Sequence, residues 1–495
     1  RTAVAPVPLP LVPFPADVDV RNGPAFDLSG AGLTGESDAA TALRSLITAR
    51  TGLDLPDGDG IVLAVQDGGP AESYVLEAAA TGIRLTGADA AGLYYGVQTL
   101  GQLVRRDGER WVVPAVRIAD APRFAYRGVM LDVARHFHGV DTVREYIDRA
   151  ASLKFNVLHL HLSDDQGWRL ELRSRPELTE RASATAVDGA AGGFYTQDDY
   201  RAVVEYAASR HMTVVPEFDM PGHTHAVSLA YPEIAETPVT DVITEGAIPI
   251  EGEPYTGTAV GFSSLRVHDE ATYAFVRDVF GELAELTPGP WLHFGGDESH
   301  GTTPEDFAHF VTRASAVIAD LGKTPIAWHE AGAVAGLAPG TIGQYWGFAT
   351  PTDAAPQHAR AFAERGGRVI LSPADAIYLD MKPTEDAPLG LTWANGATSL
   401  ERAYSWEPTA VVDGLPEDAI LGVEAPLWTE TVASLADIDA LAFPRIAAAS
   451  EIAWSSATGP ERTWDSFRAR VGGLGPLWTS LGIRFPALAE VPWTT

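Results

Sequence analysis

At 495 residues the chain exceeds one ordinary domain of about 100–200 residues, so two or three units are expected. Apolar residues make up 46% and charged ones 20%, a globular balance that excludes disorder over most of the chain. A net charge of −31 weighs against nucleic acid and anionic lipid as partners, no apolar run reaches the roughly 18 residues of a membrane span, and zero cysteines exclude disulfides, thiolate metal sites and a cysteine nucleophile.

The chain opens at Arg1 rather than Met, which is compatible with removal of a targeting segment. Residues 4–15 are Pro-rich and apolar and read as an extended lead-in. Short β-rich runs follow, such as 61–65, with helical patterns over 38–49 and 89–104. Asp120-Ala121-Pro122-Arg123 is a turn signal followed by a change of texture, which predicts a small α+β domain over 1–122 and a second domain over 123–495.

Beyond Arg123, strand and helix patterns alternate, as parallel βα units require. Strands are predicted at 128–133, 157–162, 213–218, 291–294, 325–328, 342–346, 369–372 and 421–426. Helices are predicted at 140–153, 198–209, 270–285, 304–321, 352–364 and 436–452. This pattern predicts an α/β fold, a (β/α)8 TIM barrel with enlarged loops. An open doubly wound sheet is the alternative, but no G-x-G-x-x-G loop follows a strand. The long connections 189–196, 231–264 and 374–419 read as lids or binding walls.

In a barrel, functional groups collect at the C-terminal strand ends. Read in order, those ends carry Asp132 and Arg135; Asp164 and Asp165; Glu217, Asp219 and His223; Asp297 and Glu298; Trp328 with Glu330; Trp346; Tyr378 and Asp380; Trp428 and Glu430. Acids with indole faces suit a sugar, whose hydroxyls donate to carboxylates and whose ring has an apolar face. In His293-Phe294-Gly295-Gly296-Asp297-Glu298 the strand is expected to end at the glycines, so that both carboxyls can face one pocket. Neighbouring carboxylates resist joint ionisation, so one pKa of the pair is expected to rise and supply a general acid.

His159 and His161 share one strand face and precede Asp164. They read as interior residues hydrogen-bonded within the barrel, with a metal-dependent hydrolase that adds His223 as the competing reading. In 216–225 a Pro-Gly turn is expected to bring Asp219 and His223 together, as a relay or as a structural link.

The segments 127–135 (RGVMLDVAR), 159–168, 217–223, 293–298, 344–346 (QYW) and 428–430 (WTE) together resemble glycoside hydrolase family 20, the β-N-acetylhexosaminidases, and most closely its secreted actinobacterial members. The first domain resembles the small α+β domain that precedes the family barrel. The resemblance implies exo-acting, retaining removal of terminal β-linked N-acetylglucosamine or N-acetylgalactosamine from chitooligosaccharides or glycan ends. The sugar's own acetamido oxygen is then the nucleophile, one of the exceptions to the two-carboxylate scheme.

By motif matching, Glu298 is the acid and then the base, Asp297 holds the acetamido N–H, and Tyr378 bonds the acetamido oxygen. Arg135, Glu430 and Asp380 match the binders of the sugar hydroxyls, and Trp328, Trp346 and Trp428 the acetamido walls. Trp393 matches the platform for the next sugar, and Asp164, Asp219 and His223 the shell that orients the acid pair. No metal and no cofactor is implied. His329 and Glu330 after Trp328, and the Gly/Ala-rich 189–193 loop, are mild departures on the leaving-group side. A secreted location is expected.

Overall fold

The computed structural model describes residues 7–495. By contacts the chain divides into one unit that runs to Arg127 and takes in 149–155 and 443–495, and another of 128–148 and 156–442. The lead-in expected over 4–15 falls partly outside the described residues; from residue 7 it carries no helix or strand, and Leu11 and Val12 are buried.

The first unit is built on a six-stranded mixed sheet in the order Asp17–Val20, Val116–Asp120, Tyr74–Ala79, Gly82–Gly87, Gly60–Val65, Gly32–Gly35. Tyr74, Leu76 and Ala78 alternate inward along their strand, the period-2 pattern of a sheet with one buried face. Helix Ala90–Leu103 lies close on that face because Gly96 lacks a Cβ, which would sit 2.4 Å from Leu85. The helix Trp464–Ser480 was not foreseen; its Gly472, Gly473, Gly475 and Pro476 read as a turn, yet burial of Phe467, Val471, Leu474 and Trp478 outweighs their poor propensity. Arg470 inside it forms a buried ion pair with Glu451 and donates to the Leu11 carbonyl, 2.8 Å away.

The second unit holds the barrel. Its eight parallel strands are β1 (Tyr126–Asp132), β2 (Val157–His161), β3 (Thr213–Glu217), β4 (Trp291–His293), β5 (Thr324–Trp328), β6 (Ile342–Tyr345), β7 (Val369–Leu371) and β8 (Ile420–Leu427), and they close on themselves. Each falls within two residues of its predicted position, because a strand buried on both faces reads as a continuous apolar run. Register pairs Asp132 with His161, His161 with Glu217, and Glu217 with His293, so four polar residues stand at one level near the C-terminal mouth. The single helix expected over 436–452 is two, Leu435–Ala442 and Arg445–Trp454. Pro444 interrupts it, having no N–H to continue the ladder.

Candidate active site

Beneath the mouth of the barrel lies a chain of buried hydrogen bonds. His161 donates from Nδ1 to Glu217 and from Nε2 to Asp164, each over 2.6 Å. His159 joins Glu217 at 2.8 Å and Glu424 at 2.9 Å. Burial opposes charge on these rings, but the carboxylates outweigh it and raise His159 to about 9 and His161 to about 10. Every ring nitrogen of this pair is thus committed to a carboxylate, as expected of interior residues. Donor groups close enough for an ion do occur, such as His159, Glu217 and His293, but His159 and Glu217 are already bonded to each other. Glu217 also receives the indole N–H of Trp328 at 2.9 Å, so the barrel interior fixes one wall of the site.

The acid loop leaves β4 after His293, with Gly295 at φ +74° and Gly296 at +90°. A Cβ on Gly295 would lie 1.8 Å from Asp219 Oδ1, so only glycine allows the loop to fold onto β3's end. Asp219 accepts the Gly296 N–H at 3.1 Å. Glu298, with φ +45°, occupies the left-handed region without being glycine. This sequence of turns puts Asp297 and Glu298 against one imidazole: His223 Nε2 is 3.3 Å from Asp297 Oδ2 and 3.4 Å from Glu298 Oε1. The other face of that ring, Nδ1, donates to Asp164 at 2.9 Å.

Charge follows from these contacts. Burial works against ionising His223, yet Asp164, Asp297 and Asp219 hold it well above 6.5, a cation between carboxylates. Burial likewise opposes the Asp297 charge, and His223 overcomes it and lowers the pKa. Asp219 goes the other way: burial and then the Asp297 charge push it well above the carboxylate range, so it holds its proton beside the ionised Asp297. Within the Asp297–Glu298 pair, Asp297 is therefore the member held ionised. The raised carboxyls are its neighbours Asp219 and Glu330, the latter pushed up to about 8 by burial and the Asp297 charge. A correction concerns His223: its Nδ1 partner is Asp164, because Asp219 accepts the Gly296 N–H instead.

A cavity of about 720 Å³ opens above these groups. Its lining includes Arg135, Asp297, Glu298, Trp328, Trp346, Tyr378, Asp380, Trp393, Trp428 and Glu430, while Asp164, Asp219 and His223 stand directly behind. All thirteen expected site residues thus converge. Trp328, Tyr378 and Trp428 pack into one buried cluster with Met130 and Ala374, and Trp346 lies against it. Burial, then the Asp380 and Asp297 charges, push the Tyr378 phenol well above 10, leaving it a neutral donor. Arg135 reaches Asp132 at 3.1 Å, Asp164 at 3.3 Å and Glu430 at 3.3 Å and lies over the Trp428 ring. Burial raises Glu430 to about 6 despite that cation. Trp393 stands at the rim, 49% exposed, edge-on to Trp346 and Tyr378.

Of the long connections, 231–264 supplies Val242, Ile243, Thr244, Glu245 and Val260 to the cavity wall, and 374–419 supplies Tyr378, Asp380, Leu391 and Trp393. The site also uses residues that the sequence reading left without a role. Glu217 and Glu424 bracket His159, and Glu330 bonds both Trp346 and Glu298. Glu217 and Glu330 stood among the strand-end acids, whereas Glu424 lies mid-strand in β8 and gave no signal.

The description "Glycosyl hydrolase family 20, catalytic domain" matches residues 124–306 and 299–457, and "Glycosyl hydrolase family 20, domain 2" matches 8–121. The chain is 41% identical over 456 residues to a β-N-acetylhexosaminidase of Cellulomonas fimi, covering 91% of this chain and 84% of that one. Among solved structures it is similar to a glycoside hydrolase family 20 β-N-acetylglucosaminidase, with TM-score 0.92, 62% identity, and coverage of 98% of this chain and 100% of the other. It is also similar to Streptomyces plicatus N-acetyl-β-hexosaminidase in complex with thio-NAglucal, with TM-score 0.90, 43% identity, and coverage of 100% and 99%.

Proposed function

The chain belongs to glycosyl hydrolase family 20 and is a β-N-acetylhexosaminidase, and from that premise we propose which of its residues carry each step. It is a retaining exo-glycosidase that releases terminal β-linked N-acetylglucosamine or N-acetylgalactosamine, with the substrate's acetamido oxygen as nucleophile. The observation that carries the assignment is Asp297. Its Oδ1 is buried, has no protein partner, and belongs to a carboxylate lining the cavity beside Glu298.

In this reading Asp297 accepts the acetamido N–H. That contact orients the amide carbonyl toward the anomeric carbon and stabilises the positive charge that develops as the oxazolinium ring closes. Held ionised by His223 and flanked by a protonated Asp219, it needs no reorganisation when that charge appears. Tyr378 donates to the acetamido oxygen, and Trp328, Trp346 and Trp428 enclose the amide and its methyl group. Glu298 protonates the departing glycosidic oxygen, then takes a proton from the water that opens the ring. Arg135, Glu430 and Asp380 bind the outer hydroxyls; a buried charge–hydroxyl contact that the wrong sugar leaves unmade is a strong discriminator. Trp393, exposed at the rim, stacks on the leaving sugar.

The natural substrates on this reading are chitooligosaccharides or glycan ends, and the site of action is outside the cell. The charge of −31 weighs against nucleic-acid and anionic-membrane partners. Recovery of activity from the medium of a producing culture tests the location. The mechanism is tested by comparing an aryl N-acetyl-β-glucosaminide with the matching aryl β-glucoside. The first is cleaved, and the second is cleaved at least about 10³-fold more slowly because it lacks the internal nucleophile. Comparable rates on the two would overturn the assignment of Asp297 and Tyr378.

A further inference from the structure

Glu330 has no part in the scheme above, yet it touches two groups that do. It lies two residues after β5, and its carboxyl meets a different donor on each oxygen. Oε1 accepts the indole N–H of Trp346 at 2.6 Å, and Oε2 accepts the backbone N–H of Glu298 at 3.1 Å. The first donor belongs to the wall of the acetamido pocket. The second is the peptide of the acid/base itself, whose φ of +45° is a conformation that side-chain-bearing residues seldom hold unaided.

We propose that Glu330 is a positioning residue that fixes the Glu298 carboxyl and the Trp346 wall to each other, so that proton donor and acetamido pocket keep one spacing. The proposal rests on the assignment of Glu298 as acid/base. A carboxyl group suits this task because each of its oxygens keeps a lone pair for a donor whether or not the group carries a proton. An amide turns one of them into a donor, which then faces either the indole N–H or the Glu298 N–H. An alanine removes both contacts. The Glu298 peptide is then free to relax from its left-handed geometry, and its carboxyl moves with it. A displacement near 1 Å at a reacting group costs on the order of 10²-fold in rate.

The remaining buried neighbours support this arrangement. His329 accepts the Trp346 backbone N–H at 3.1 Å, so Trp346 is held from both its main chain and its indole. Trp346 lies flat on the His329 ring, with centroids 5.5 Å apart. The amide N–H of Glu298, by contrast, donates to Glu330 itself. Loss of Glu330 should therefore disturb the acid/base more than the wall.

The test measures kcat/KM of the parent enzyme, Glu330→Gln and Glu330→Ala on two N-acetyl-β-glucosaminides. One has a 2,4-dinitrophenyl leaving group, which departs without protonation, and the other is chitobiose, which requires it. Positioning of the acid predicts that Glu330→Ala loses about 10²-fold on chitobiose and at least about tenfold less on the dinitrophenyl substrate, with Glu330→Gln between alanine and parent. Equal losses on the two substrates, or no loss on either, overturn the proposal, since general damage to the fold ignores leaving-group basicity. Should the alanine variant fail to fold, the near-isosteric glutamine variant carries the same comparison. A parent enzyme inactive on both substrates would instead refute the functional reading on which the proposal stands.

Discussion

A methyl group on Gly295 would reach 1.8 Å from Asp219 Oδ1, and the residue's φ of +74° already disfavours any side chain. Gly295→Ala must therefore shift either the acid loop or the Asp219 carboxyl that stands beside Asp297. Strain of this kind costs about 1–3 kcal/mol, and the rate suffers more because Asp297 and Glu298 ride on the displaced loop. The expected result is a lower thermal midpoint together with at least about 100-fold lower kcat, measured by calorimetry and by release of an aryl aglycone. At Trp393 the balance is reversed. Its ring is half in solvent and its removal leaves no cavity, so Trp393→Ala should change stability by no more than about 0.5 kcal/mol. A lost stacking contact of about 1–1.5 kcal/mol predicts a roughly tenfold higher KM for chitobiose, with kcat little changed.

At the scale of elements, strands and connections differ in how far the sequence reveals them. The eight barrel strands were legible because each is a short run buried on all or all but its first residue, and the helices of the βα units because their caps agree with their periodicity. Thr303 and Pro304 at the start of Pro304–Asp320 show this: the Thr side chain accepts the Asp306 N–H, and Pro stands where no N–H is required. What was not legible lies where tertiary packing overrides local chemistry. Trp464–Ser480 is helical through three glycines and a proline because its apolar face is buried, a fact no window of its sequence contains. The same holds within the site. Strand ends announced Asp297, Glu298, Tyr378 and Arg135, whereas Glu424 is one interior residue among eight in β8, and its pairing with His159 depends on barrel closure. The choice of Asp164 over Asp219 by His223 likewise depends on which carboxyl the acid loop already occupies.

Over the whole molecule, the buried charges fix how stability varies with pH. His159 and His161 are raised to about 9 and 10, so their stabilisation is complete below the unfolded value near 6.5 and disappears as pH rises through 9–10. Glu217 and Asp164 sit well below the carboxylate range, held there against burial by the imidazoles around Glu217 and by Arg135 and His223 beside Asp164, so their contribution is present above about 4.5 and lost on acidification. Glu330 at about 8 and Glu430 at about 6 hold protons in the fold where the unfolded chain is ionised, so they lower stability as pH rises from about 4.5 to 8 and to 6 respectively, and Asp219, raised well above the carboxylate range, acts in the same direction. His138 and His293 at about 4 and His329 at about 3 stay neutral in the fold, so stability rises with pH until the unfolded histidines have titrated. Lys154, brought by burial to about 8, acts against the alkaline decline between 8 and 10.5 but is one group against several. Above about pH 6.5 the falling contributions dominate, with each net proton of difference costing about 1.4 kcal/mol per pH unit. Calorimetric midpoints recorded at constant ionic strength should fall steadily from pH 6.5 to 9. Glu217→Gln, which removes the charge shared by both imidazoles, should be less stable at pH 6 by about 3–5 kcal/mol and show a shallower alkaline slope. A parent enzyme with a flat profile from 6.5 to 10 would mean that the two histidines are neutral, and that the row beneath the active site is held by hydrogen bonds without charge.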